Sequence, residues 1–392
     1  MAVSASAKNY LGFNSGATKD DNTAKFKADF VQEFTTAKNL QNAPGDFSAV
    51  RLYTNIQAYS QTSEPIEAFE AAIETGTNIL LGVWASGTNT IQPEIKALKN
   101  AVDKFGTKFT DLVIGISIGS EDLYRDSATG QANKAGVGAS PNTILKFIND
   151  YKTGLAGTPL ASKPVGHVDT WDVWPNSTVK AVMDAVDFIG VNEFPYYEKT
   201  NDNTIQRSGQ LFDRAYDAVL AVAGNKPVWV TETGWPYTDA SPKGEWGQAV
   251  ASVDNAQYYW QEIGCRRLFG KTTAFWYNIR DSNAENKMKF AITDKLATKP
   301  RFDLTCPTTF KTPNATQASS STTSAGFSTS TSAGSSPSKT ASQGSATVPT
   351  SATGASASPA TSTPASAATS FKQSSSMIYA LSVVFAGALY FL

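Results

Sequence analysis

The run KPVWVTET at residues 226–233 is short, apolar and rich in β-branched side chains, and it closes on a Thr-Glu-Thr triplet. Directly before it, GQLFDRAYDAVLAVAG (209–224) places apolar residues three and four apart, the spacing of one helix face. Seven more β-runs repeat this arrangement: YLGFNSG (10–16), AVRLYT (49–54), NILLGVWA (78–85), LVIGISIGSE (112–121), KPVGHVDT (163–170), FIGVNEF (188–194) and TTAFWYNI (272–279). Polar or Gly-containing loops follow them, and helix-like segments such as PNTILKFINDYKTGL (141–155) and VDNAQYYWQEIGCRRLF (253–269) lie between. Strands alternating with helices pair in parallel. From Ser15 to Trp276 the strand ends recur about every 37 residues, one βα unit each, so the sequence predicts an α/β fold, a (β/α)8 TIM barrel over residues 1–310. A doubly wound open sheet is the rival, but FNSGATKDD (13–21) after the first run carries no GxGxxG, and no GxxxxGK occurs.

Composition divides the chain at about residue 310. All eight Trp lie between Trp84 and Trp276, and no Asp or Glu follows Asp303. With Lys311, Lys339 and Lys372 set aside, the first 310 residues hold 30 basic against 34 acidic side chains, a net of about −4. That balance excludes a nucleic-acid partner, which needs a basic footprint. One His and two Cys exclude a Cys/His metal site, so no metal and no cofactor is expected. Cys265 and Cys306 fit a single disulfide closing the end of the domain if the protein is secreted, with two buried thiols as the alternative.

In a barrel of this kind the chemistry sits at the C-terminal strand ends. Those ends read Asn14, Tyr53, Trp84, Glu121, Asp169, Glu193, Glu232 and Trp276. Carboxylates beside large aromatic rings suit carbohydrate chemistry: pyranose C–H faces stack on aromatic rings, and glycosidic cleavage uses one carboxylic acid and one carboxylate. Three Glu compete for those two positions, and spacing alone does not choose among them. His167 lies inside its β-run and reads as a satisfied core histidine, while Asp169 either orders the site or bonds its own loop. Glu198 and Asp281 read as solvated loop charges. GISIG (115–119) matches the esterase GxSxG, but Ser117 sits inside a strand and the only His precedes the last strands, against the elbow and triad order.

The segments VTETGWP (230–236), ISIGSEDLYR (116–125) and GVNEFPYY (190–197) resemble glycoside hydrolase family 17, in its fungal, GPI-anchored glucan endo-1,3-β-glucosidases, over roughly residues 10–305. The resemblance implies a retaining enzyme acting on β-1,3-glucan, with Glu232 as nucleophile, Glu121 as general acid/base and their carboxyls about 5–5.5 Å apart. It makes Glu193 a subsite or pKa-tuning residue, with the acid itself as its alternative role. Tyr53, Trp84, Tyr196, Tyr197, Trp235, Tyr237 and Trp276 become sugar platforms, and Asn192 and Asn278 hydroxyl ligands. Ser120 stands where relatives commonly carry Asn before the acid/base. A β-1,3-glucan transglycosylase is the alternative activity, and a stalked carbohydrate-binding adhesin the non-enzymatic one. A monomer is expected.

Residues 311–376 are almost entirely Ser, Thr, Ala, Gly and Pro, a composition that cannot bury enough apolar surface to fold and reads as an O-glycosylated stalk. The chain then ends on MIYALSVVFAGALYFL (377–392), short for a spanning helix. With small residues at 366–368 and a polar spacer at 369–376, it fits a GPI-attachment signal with Ser366 as the acceptor and the tail removed. The expected location is therefore the outer face of the cell membrane and the cell wall. Residues 1–9 resemble the remnant of a cleaved leader, and sequons stand at Asn176 and Asn314.

Overall fold

The computed structural model describes residues 8–283 and 285–310. Asn314, Ser366, the stalk and the terminal tail lie outside the described residues. Every one of the eight β-runs contains a strand: β1 (Leu11–Ser15), β2 (Ala49–Leu52), β3 (Asn78–Val83), β4 (Val113–Ser120), β5 (Val165–Thr170), β6 (Phe188–Asn192), β7 (Val228–Glu232) and β8 (Ala274–Trp276). They pair in parallel in chain order, and β8 returns to β1, closing the barrel. Closure leaves no strand edge exposed.

Seven helices make the crossovers: α1 (Lys27–Lys38), α2 (Ala68–Thr75), α3 (Gln92–Phe105), α4 (Pro141–Gly154), α5 (Lys180–Ala185), α6 (Ser208–Ala223) and α7 (Val253–Tyr259). Local sequence fixes their ends. Ser140 caps α4 by accepting from Thr143 N, with Pro141 at the first helical position, where its missing N–H costs nothing. Ile144, Phe147, Ile148 and Tyr151 then bury one face of that helix. Past Tyr259 the chain continues as a π-helix, Trp260–Leu268, which sends the Trp260 indole N–H to Leu304 O at 3.0 Å. The same segment carries Cys265, which is bonded to Cys306. Closing a loop of 41 residues contributes about 4 kcal/mol in the chain-entropy picture. A two-residue antiparallel pair, Thr238–Asp239 with Met288–Lys289, ties together the loops after β7 and β8. Strands this short carry no periodicity, so the sequence does not announce them.

Alternation along the strands separates two environments. Ala49, Leu80, Phe188 and Phe275 fill the lower barrel interior, where Phe188 stacks on Trp229 at 3.9 Å. Phe13, Val50, Leu81, Ile118, Val191, Val230 and Trp276 belong to the larger core formed with the helices. Above the interior plug the barrel becomes polar, and that upper layer holds the candidate site.

Candidate active site

Two register shifts deliver the two principal carboxylates. On β4, Ser117 pairs with Gly166 but Ser120 with Val168, so β4 spends three residues where β5 spends two. On β7, Val230 pairs with Val191 and Glu232 with Asn192, one residue more than β6. An extra residue bends a strand and re-aims the side chain that follows. At β4 the bend needs glycine: Gly119 has φ 82, and a Cβ there would lie 2.4 Å from Asp122 Oδ2. Glu121 follows in the left-handed region, φ 59, a conformation that costs a non-glycine residue of order 1 kcal/mol or more and persists only where neighbours hold it. They do so here through backbone bonds: Glu121 N donates to Val168 O at 2.9 Å, and Ser120 N to Asp122 Oδ2 at 2.8 Å. Leu123 N and Tyr124 N both donate to the Asp169 carboxylate. Asp169 thus orders the turn carrying Glu121, the first of the two roles its position allows.

Glu232 closes β7 and is buried. Arg51 Nη1 donates to its Oε1 at 2.6 Å, and Tyr53 OH donates to the same oxygen at 2.9 Å. Arg51 also reaches Asn14 Oδ1 and, through Nη2, Ser120 Oγ, each at 2.9 Å. Across the mouth, Asn192 Nδ2 donates to Glu121 Oε1 at 2.9 Å while Asn192 Oδ1 accepts from Thr231 Oγ1 at 2.8 Å. Arg125 Nη2 completes the set at 3.1 Å from Glu121 Oε2. Two short hydrogen-bonded bridges therefore join the β4 and β7 ends, one through Arg51 and Ser120, the other through Asn192 and Thr231.

The electrostatics divide the two acids. Burial pushes the Glu121 carboxyl up to about 7; Arg125 opposes the rise and the charge of Glu232 adds to it. Glu121 therefore holds a proton in mildly acidic solution, whereas Glu232 carries the bonds that suit a carboxylate, a guanidinium and a phenol. Tyr277, just past β8, is kept protonated by burial and by the charges of Glu232, Asp281 and Glu121, and its ring packs on Phe194 and Phe290.

Of the predicted residues, Glu121, Glu232, Tyr53 and Asn192 come together here. Trp84 ends β3 half-exposed, its indole N–H on Ser86 O at 2.9 Å. Tyr53 acts as a donor rather than a plate, because its ring faces Arg51 at 4.8 Å. Tyr196, Tyr197, Trp235 and Trp276 need correction as sugar platforms. They are 2–5% exposed and pack on other rings: Trp276 on Trp260 at 4.8 Å, Trp235 on Tyr196 at 5.1 Å, Tyr197 on Trp246 at 5.2 Å. Tyr237, half-buried, lies under Arg301 at 4.2 Å, and Asn278 is buried. Glu193 also moves away from the expected subsite. It is fully buried beside Glu198, Arg214 and Asp172, on the side of β6 opposite to Asn192.

Glu198 and Asp281 are not solvated charges. Glu198 pairs with Arg214 and accepts from Asn201 Nδ2 at 2.8 Å; Asp281 accepts from Phe290 N at 2.8 Å and from Ala291 N. Ser117 is buried, its hydroxyl donated to Gly119 O at 2.8 Å, far from any nucleophile's role. Asn176 is exposed, and its Oδ1 accepts from Thr178 N and Thr178 Oγ1 at 3.0 and 2.9 Å. Sequence reasoning passes over Arg51 and Tyr277. An Arg inside an otherwise apolar β-run is the available signal, since a buried guanidinium requires a carboxylate partner.

The sequence matches the BtgE/BtgC glycoside hydrolase domain over residues 12–293. The chain belongs to that family. Among curated proteins it is 43% identical over 326 residues to the Probable glucan endo-1,3-beta-glucosidase eglC of Aspergillus terreus, covering 82% of this chain and 65% of that one. Against the protein of the same name from Aspergillus niger it is 45% identical over 308 residues, covering 78% and 65%. A Glucan 1,3-beta-glucosidase of Candida albicans is 30% identical over 285 residues, with 70% and 84% covered. The chain thus spans about 65% of the length of the eglC proteins. Among solved structures, the glycoside hydrolase family 17 beta-1,3-glucanosyltransferase of Rhizomucor miehei superposes with a TM-score of 0.58 at 22% identity, covering 76% of this chain and 98% of that one. An endo-laminarinase from Formosa gives 0.55 at 15% identity, with 71% and 82% covered. At those identities the likeness speaks for the barrel fold.

Proposed function

We propose that this member of the family is a retaining endo-hydrolase of β-1,3-glucan, with Glu232 as nucleophile and Glu121 as general acid and then base. The observation that carries the reading is the pairing at the barrel mouth: one buried glutamate protonated up to about pH 7, and across from it one whose carboxylate oxygen accepts from the Arg51 guanidinium and the Tyr53 phenol. The names of relatives at 43–45% identity support the substrate class.

In the first step Glu232 attacks the anomeric carbon, the glycosidic C–O bond breaks, and Glu121 gives its proton to the departing oxygen. Arg51 and Tyr53 both bond Oε1, which leaves Oε2 as the attacking oxygen. Glu121, now ionised, takes a proton from water as that water attacks the same carbon, and Glu232 leaves as a carboxylate. Asn192 keeps Glu121 aimed in both steps, and Ser120, held by Arg51, lies beside it. The half-exposed Trp84 is the plate best placed to stack a sugar ring near Glu121.

Time-resolved proton NMR of products released from a linear β-1,3-glucan tests the reading. Retention predicts that the β-anomer forms first, and initial appearance of the α-anomer would sink it. Shorter oligosaccharides are the expected products; chains longer than the starting material would move the function to glucan transfer. On its sequence alone, the acid-free region after residue 310 supports surface delivery: a stalk from 311 to 376, a GPI anchor at Ser366 and residence at the cell wall. Release of the protein from membranes by phosphatidylinositol-specific phospholipase C tests that part.

A further inference from the structure

His167 is the only histidine in the chain, and the proposed reaction gives it no task. It is fully buried on β5, and both ring nitrogens meet acceptors. Nδ1 lies 2.5 Å from Ile118 O, a backbone carbonyl that can only accept. Nε2 lies 3.0 Å from Asp169 Oδ2. Everywhere else Asp169 serves as an acceptor, its two oxygens taking the N–H groups of Leu123, Tyr124 and Thr170, and the same role at Nε2 calls for a donor on the imidazole. A neutral imidazole carries one N–H and would leave one of these contacts lone pair against lone pair.

We infer that His167 is a standing imidazolium that positions the acid/base: one N–H grips β4 at Ile118, and the other fixes the Asp169 carboxylate that holds the Glu121 turn. The groups facing the ring are consistent with a cation. Asp169 lies on its own strand, Asp122 comes from the turn after β4, and both attract positive charge. The Trp174 ring meets it edge-on at 5.8 Å, and Gly119 packs so closely that a Cβ there would lie 3.1 Å from His167 Cε1. Burial works against protonation, while Asp169 and Asp122 favour it, and the balance raises the imidazole pKa. Asp169 and Asp122 in turn anchor Ser120 N, Leu123 N and Tyr124 N, the three amides around Glu121. The positioning role rests on Glu121 being the acid; the protonation state does not.

The test uses the full chain with 15N-labelled histidine, whose single residue gives one pair of ring-nitrogen signals. Both nitrogens should be protonated at pH 7, above the midpoint near 6.5 of a free imidazole, with two slowly exchanging ring protons. A neutral tautomer at pH 7 overturns the assignment, and this arm needs no variant. In His167→Gln, kcat should fall roughly 10- to 100-fold with KM little changed, the size expected for a misaimed catalytic group. Without the cation the Asp169 charge acts unopposed on Glu121, so the alkaline limb of the activity profile should also move to higher pH. An unchanged kcat and limb would overturn the positioning role. Full activity in Glu121→Gln would instead remove the proposed function and leave the NMR result standing.

Discussion

Glu121 and Glu193 are both buried glutamates that keep their protons above the ordinary carboxyl range, yet their surroundings differ in kind. Glu121 opens into the barrel mouth, where Asn192 and Arg125 donate to it and Glu232 stands across. Glu193 points the other way from β6, into the helix layer. Neither of its oxygens meets a donor among the described residues, and burial together with the charge of Glu198 drives its pKa up. Two carboxyls side by side retain a proton between them. A raised pKa therefore does not mark a catalytic acid by itself; what distinguishes Glu121 is a second glutamate on the same face, paired with Arg51 and Tyr53.

The sharpest way to break this contrast is to substitute both residues alike. Glu121→Gln should lower kcat/KM by roughly 10²- to 10⁴-fold, the usual worth of a general acid. Glu193→Gln should stay within a few-fold of wild type in the same assay on β-1,3-glucan. Reversal of the two outcomes would return the acid role to Glu193.

Next in size is the ion pair of each region. Arg51→Met strands Glu232 in a buried site and should cost about 3–5 kcal/mol of stability in denaturant unfolding. Arg214→Met, behind β6, removes a guanidinium that is 43% exposed and should cost about 1 kcal/mol or less. Equal losses would mean that the two pairs are not as differently solvated as they stand here.

The smallest effect is a pH slope. An unfolded glutamate titrates near 4.3, whereas Glu193 stays protonated in the fold well above that value. The folded state therefore binds more protons than the unfolded one as pH rises past about 4.3, and stability falls with pH until Glu193 ionises. Glu121 and Glu94, both raised to about 7, and Asp172, raised to about 6, act with the same sign. The thermal midpoint should be higher at pH 5 than at pH 8, and Glu193→Gln should flatten the slope by up to about 1.4 kcal/mol per pH unit, one proton's share. An identical slope in the variant would mean that Glu193 is ionised in the fold.

The barrel was legible because its strands, buried on both sides, read as compact β-branched runs, and all eight runs contain a strand. The two carboxylates were legible as strand ends. Side-chain direction was less so, since an end residue faces the mouth only if the register allows it. At β8 the conspicuous Trp276 packs into the core against Trp260, and its neighbour Tyr277, buried in the same core, is the ring that feels the charges of Glu232 and Glu121. At β4 and β7 a single extra residue shifts the register and delivers Glu121 and Glu232. Such bulges are set by long-range pairing, which leaves no local pattern to read. Arg51 escaped for a related reason: its partners, Glu232 and Ser120, lie 181 and 69 residues away.

The most direct test of the mouth as the reacting centre is azide rescue of Glu232→Ala. Removing the carboxylate should abolish cleavage of an activated β-glucoside of a β-1,3-linked disaccharide, and added azide should restore turnover with formation of the α-glycosyl azide. No rescue at Glu232→Ala, with rescue at Glu193→Ala instead, would place the nucleophile behind β6 and contradict the assignment.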